Sequence, residues 1–207
     1  MKKFFLTSSL FFFLGLIPMA CNDFCGNPCG CGPIFDVSDF RVQSFETISL
    51  TTEGQQVSPT ISLPYNFITK SFRIKEIVTL SERKNSNSST WGMALACSPP
   101  SPQSQEKMIG IQIINSREVE LGDGEILKVG QDLTSYFEMN NFFSEQTKPI
   151  PEFFNTPVPL FMEDLFKLVW IKDPQKEVQL EFSIRILMEN GLDFNLSNEI
   201  LSIRSQS

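Results

Sequence analysis

Histidine is absent from all 207 residues. That absence removes the commonest general base and metal ligand, and with them every Ser-His and Cys-His nucleophile arrangement. Positive charge is also in short supply: 17 Lys and Arg stand against 24 Asp and Glu, a formal charge of −7. Nucleic-acid binding relies on Lys and Arg to neutralise phosphates, so this balance argues against nucleic acid as a partner. An anionic membrane surface repels such a chain, and any attachment there must come from something other than charge. Nothing repeats at a fixed period. The complete D-x-[DN]-x-[DN]-G loop is missing as well, so Asp123 and Glu125 read as a solvated turn rather than a calcium site. Enzymes built on carboxylate pairs or Ser-Lys dyads stay open to a histidine-free chain, but such pairs are recognised by distance in space. No catalytic residue, metal site or cofactor is assigned.

The chain does carry 41% hydrophobic residues, 20 of its residues being Phe, which is ample for a packed core. Its N-terminus sets the compartment. Lys2 and Lys3 form a positive start, and the stretch 4–17 is apolar apart from Thr7, Ser8, Ser9 and Gly15. A membrane-spanning helix needs about 20 apolar residues. This run ends at Pro18 ahead of polar Asn22 and Asp23, which fits the h-region of a secretory signal over residues 1–20. Loss of the two lysines with the leader lowers the net charge by two more.

The segment Leu16-Ile17-Pro18-Met19-Ala20-Cys21 resembles a bacterial lipoprotein signal, in which a small residue precedes the cysteine that receives diacylglycerol. Ala20 matches that small residue, whereas Pro18 stands where the family usually has Leu. Ordinary cleavage after Ala20 without lipid is the alternative. The resemblance implies lipidation of Cys21 with three acyl chains. Two or more chains anchor a protein stably where one does so marginally, so the chain is expected at the cell envelope, lipid-anchored in the outer membrane.

With Cys21 acylated, Cys25, Cys29, Cys31 and Cys97 remain, an even number in an oxidising compartment. Two disulfides are the default expectation. A Cys29–Cys31 pair across one residue is strained, which sends one of the two to Cys97. Four thiolates also offer a metal site, but zinc knuckles usually pair as C-x2-4-C, and disulfides are the better reading. Residues 21–33 then form a lipidated Cys-rich stalk, followed by a domain over 34–207.

Strand patterning dominates that domain. Phe35, Val37, Phe40 and Val42 alternate with a change of phase. Phe72, Ile74, Val78 and Leu80 share one face, breached at Glu76 and Ile77. A polar loop at 86–89 precedes an apolar strand at 91–97. Ile109, Ile111 and Ile113 are expected inward. The glycines of 121–125 make a turn, with 126–129 returning. Asp132 is placed to cap a short helix through Tyr136 and Phe137. Residues 165–171 form a strand, and Val178, Leu180, Phe182, Ile184 and Ile186 alternate with polar partners. Asn190-Gly191 then predicts a type I′ hairpin leading into Leu192, Phe194 and Leu196. About seven short strands with one short helix imply an all-β, immunoglobulin-like β-sandwich.

The lipobox, the cysteine cluster followed by Gly32-Pro33-Ile34, and the segments 94–100, 106–109 and 130–134 together resemble a family of uncharacterised lipoproteins from Bacteroidetes-type bacteria, a domain of unknown function. That resemblance implies an address and no catalytic residues. The function expected is an extracytoplasmic binding or interaction module without catalysis, meeting the membrane through its anchor and a protein or glycan through its loops. The alternatives are a glycan-capturing accessory protein, a histidine-free enzyme using clustered carboxylates, or a structural envelope component. Phe153 and Phe154, in the proline-punctuated stretch 144–160, are the candidate ligand-binding pair. Loop aromatics more often fold back onto a core edge. Trp91 and Trp170 lie in apparent strands, where core packing is the expected use.

Overall fold

The computed structural model describes residues 40–80, 101–141 and 146–206. The leader, Cys21, Cys25, Cys29, Cys31, Cys97, Trp91 and the loop 86–89 lie outside the described residues. Residues 40–80, 102–141 and 146–206 belong to one compact unit.

Two long strands rich in β-branched and aromatic residues, β1 (Phe40–Thr51) and β4 (Ile68–Thr79), pair antiparallel and carry the first sheet. On the outer side of β1 lies β2 (Gln56–Val57). Beyond β4 come β10 (Leu165–Trp170), β8 (Phe137–Asn141) and β9 (Lys148–Pro149), in the order β2-β1-β4-β10-β8-β9. The second sheet runs β3 (Leu63–Pro64), β12 (Asp193–Arg204), β11 (Val178–Met188), β5 (Met108–Asn115). A small ribbon of β6 (Val119–Glu120) and β7 (Ile126–Leu127) closes through the 121–125 turn, as its glycines imply. The helix α1 (Ile150–Phe153) spans a single turn. The all-β, immunoglobulin-like sandwich implied by the strand spacing is thus what the chain forms, with more strand than the pattern assigns, since 46–70 carry no strand in the sequence reading.

Alternation places one face of each sheet in a shared core. Across the first sheet, Thr47, Phe72 and Phe166 form one cross-strand row, and Ser49, Lys70, Leu168 and Met139 form the next. Facing them are the rows built on Leu180, Phe182, Ile184 and Ile186 of β11, all fully buried. Aromatic rings join the layers: Phe45 meets Phe194 edge-on at 5.1 Å, and Phe137 lies 5.5 Å from Phe182.

Several expectations are corrected by bulges, which move side chains to the other face because the strand period is two. Register shifts on either side of Ser44 let Val42 and Phe45 both point inward, and on β4 Ile74 and Ile77 do the same. Val78 and Leu80 therefore turn outward, 49% and 42% exposed. A shift between Leu187 and Met188 buries Met108 and leaves Ile109 outward. The hairpin has positive φ at Gly191 alone, +84°. Met188 N–H donates to Leu192 O and Gly191 N–H to Met188 O, the arrangement of a three-residue loop with an αL glycine rather than a type I′ turn. Asp132 Oδ1 does accept from Thr134 N–H, but only a 3-10 turn, Thr134–Tyr136, follows, and Phe137 opens β8. The helix lies instead at 150–153, inside the stretch read as loop, with Pro151 in its first turn, where a missing N–H is tolerated.

Candidate functional site

Polar residues breach the core at one end of the sandwich. Lys70 of β4 shares its inward face with Phe72, and Glu199 of β12 shares its face with Leu201. Each is an ionisable group at a core position, and they meet across the layers: Lys70 Nζ lies 2.7 Å from Glu199 Oε2 and donates to Ile200 O at 3.4 Å. Thr47 Oγ1 donates to the same Glu199 oxygen at 2.5 Å. A bulge positions the carboxylate, since β12 spends three residues from Leu196 to Glu199 where β11 spends two, with Asn198 at φ +61°. Asparagine tolerates that left-handed conformation better than most side chains. Beside the pair opens a cleft of about 230 Å³, walled by Ser49, Val57, Pro59 and Lys70 of the first sheet and its loop and by Asn198 and Glu199 of the second. The cleft was not legible in the sequence. A lysine two residues before Phe72 and a glutamate two before Leu201, each in phase with a buried face, were its only trace.

A second recess, of about 330 Å³, adjoins the β11–β12 hairpin and is lined by Arg41, Gln105, Glu106, Glu189 and Asn190. Arg41 Nε donates to the buried Glu106 carboxylate at 2.7 Å, and Asn190 Nδ2 reaches the same oxygen at 3.3 Å.

Lys172 closes the Asp123 and Glu125 turn. Lys172 Nζ sits 2.6 Å from Asp123 Oδ2 and also engages Glu125, which accepts from Tyr136 Oη as well. The hydrogen bond from Lys172 is the main reason both carboxyls sit below the usual carboxylate range, and the two carboxylates push the lysine above its own. Gly122 lets this turn approach β10's exit. A Cβ there would lie 2.6 Å from Gln175 Cβ and 2.8 Å from its backbone carbon. Depressed carboxylates stabilise the fold above their unfolded pKa, about 4, and that contribution fades as the pH falls through their folded values. The raised Lys172 contributes at every pH below its unfolded value, about 10, and loses its share on the alkaline side. A Lys172→Met variant is accordingly expected to be slightly less stable than the parent across neutral pH, with the gap closing below about pH 4 and shrinking in high salt, as urea denaturation at a series of pH values would show.

Of the other candidate residues, Phe153 and Phe154 are half-buried against the core. Their rings stand edge-on at 75° and 5.2 Å, and Phe153 also contacts Phe166. The structure does not set them as a flat pair. Trp170 is in the core, stacked on Tyr136 at 5.2 Å and 14°. Asp164 is held above the usual carboxylate range by burial, and its Oδ2 accepts the Phe161 N–H at 2.8 Å in a local turn.

No family model matches the chain, and no curated protein matches it. Among solved structures it is similar to the C-terminal domain of the Streptococcus pyogenes antigen I/II-family protein AspA, with 14% identity and a TM-score of 0.28, over 79% of this chain and 47% of that one. It is also similar to the C-terminal domain of the Streptococcus agalactiae antigen I/II polypeptide BspA, with 11% identity and a TM-score of 0.28, over 78% and 50% of the respective chains. This chain spans about half the length of either solved domain.

Proposed function

We propose that this protein is a lipid-anchored binding module of the bacterial cell envelope, held in the outer membrane by acylated Cys21, of the lipoprotein family that its short motifs resemble, and presenting its β-sandwich to a protein or glycan partner without performing catalysis. The observation that carries the reading is Cys21 directly after Ala20, at the end of an apolar leader that begins with two lysines. The sandwich supports it as a rigid scaffold of the kind that carries binding surfaces on its loops and ends. Among the described residues Glu199, Glu106, Asp123 and Glu125 are each held by a cation at 2.7 Å or closer, so these carboxylates serve the scaffold as ion-pair partners.

The test is mass spectrometry of the mature N-terminus, beside fractionation of a Cys21→Ala variant. The expected result is a chain that starts at Cys21, carries acyl chains and partitions into detergent, with the variant lost from the membrane fraction. An unmodified Cys21, or a cytosolic chain with its leader intact, would overturn the proposal. Counting free thiols without reductant tests the companion proposal of two disulfides among Cys25, Cys29, Cys31 and Cys97.

A further inference from the structure

We infer that the cleft between β1, β2 and β12 is a binding site for a small, neutral, hydroxyl-rich molecule with the chemistry of a single sugar ring. Buried groups with unused hydrogen-bonding capacity line it. Ser49 is 3% exposed, and its hydroxyl has no partner among the described residues, a condition that native interiors rarely tolerate without a ligand or water to meet it. Lys70, 4% exposed, has three donors and spends two of them on Glu199 and the Ile200 carbonyl. Glu199 receives both Lys70 and Thr47 on Oε2, and a carboxylate offers about four acceptor positions.

Charge then selects the ligand. Lys70 and Glu199 cancel, so an incoming carboxylate faces Glu199 and an incoming amine faces Lys70, each a like-charge contact at close range. Neighbouring hydroxyls satisfy both groups, since each can accept from the ammonium and donate to the carboxylate, and the serine hydroxyl can do either. The volume, about 230 Å³, falls below the roughly 300–1,000 Å³ of sites for drug-sized ligands and suits one ring. Val57 and Pro59 supply apolar wall for ring C–H groups, and Gln56 and Asn198 bring amides to the rim. A ring with hydroxyls can displace water here while reproducing its hydrogen bonds.

This inference rests on the binding-module reading. The full chain in detergent micelles is examined by ligand-observed saturation-transfer NMR with D-glucose, D-galactose, D-mannose and N-acetyl-D-glucosamine, and with acetate and ethylammonium as charged controls. At least one neutral sugar is expected to bind and both controls to fail. Ser49→Ala, which removes the unpaired hydroxyl and leaves the fold intact, is expected to weaken binding about five- to tenfold, the loss of one neutral hydrogen bond. Asn198→Gly, which keeps the left-handed backbone, is expected to weaken it less. Binding of no sugar, of a charged control alone, or of a sugar indifferent to both substitutions would each overturn the inference. Sugar binding failing in a chain acylated at Cys21 would leave the anchored module standing, and an unmodified Cys21 in a sugar-binding chain would do the reverse.

Discussion

Replacing Trp170 with alanine is expected to destabilise the domain by about 3–5 kcal/mol, the range for removing a fully buried large aromatic. The indole is 1% exposed, stacked on Tyr136 and met edge-on by Phe137 at 5.3 Å. Its Nε1–H also donates to the Lys172 carbonyl, which fixes the strand exit where Lys172 turns toward Asp123 and Glu125. Truncation therefore opens a cavity between two rings and strips a donor from the carbonyl. The check is urea denaturation followed by circular dichroism. The midpoint should fall with the slope unchanged, because the loss lies in the folded state. A Trp170→Phe variant keeps much of the packing without the N–H and should land between the two. A shift under about 1 kcal/mol, the level of an ordinary substitution, would mean that the tryptophan does not sit in the core.

The Lys70–Glu199 pair is expected to be strongly non-additive. Lys70→Met leaves Glu199 without its cation, and Glu199→Leu leaves a buried ammonium facing a hydrocarbon. Breaking one side of a buried pair costs about 3–5 kcal/mol, whereas replacing both sides with apolar groups of similar volume is often neutral or stabilising. The double variant should therefore recover most of either single loss. With Glu199 still 14% exposed at its side chain, losses at the lower end are expected. A double-mutant cycle read by denaturation decides the matter, since two single losses that merely add would show that the groups do not depend on one another.

Where the pattern is clean the fold was legible. The alternation of Val178 to Ile186 returned as β11 in the right phase, because a strand in mid-sheet with one wet face leaves a period-two record. Where register shifts intervene the record misleads. Ile109 looks as inward as Ile111, and only its place opposite the Leu187–Met188 shift exposes it. Val78 and Leu80 extend the parity of Phe72 and Ile74, yet the extra residue near Lys75 reverses it. The Asn190-Gly191 signal located the hairpin but not its loop class, since a glycine with positive φ serves both. The cleft was hidden for another reason. Ser49, Lys70 and Glu199 lie far apart in sequence, and only sheet packing brings them together.

One feature of the second sheet reaches beyond a single copy of the molecule. Among the described residues β3 pairs with β12 only at Ile203 and Arg204, so most of a 12-residue strand has no paired strand on that side. A flat strand of such length is an invitation to stacking between chains. The left-handed Asn198 interrupts the even spacing of its peptide groups, and an incoming strand meets two short stretches out of step with each other. A one-residue slip would turn the Glu199 charge away from Lys70 and strand it. The bulge that aims a carboxylate into the interior thereby also breaks the regular edge that an added strand would have to match.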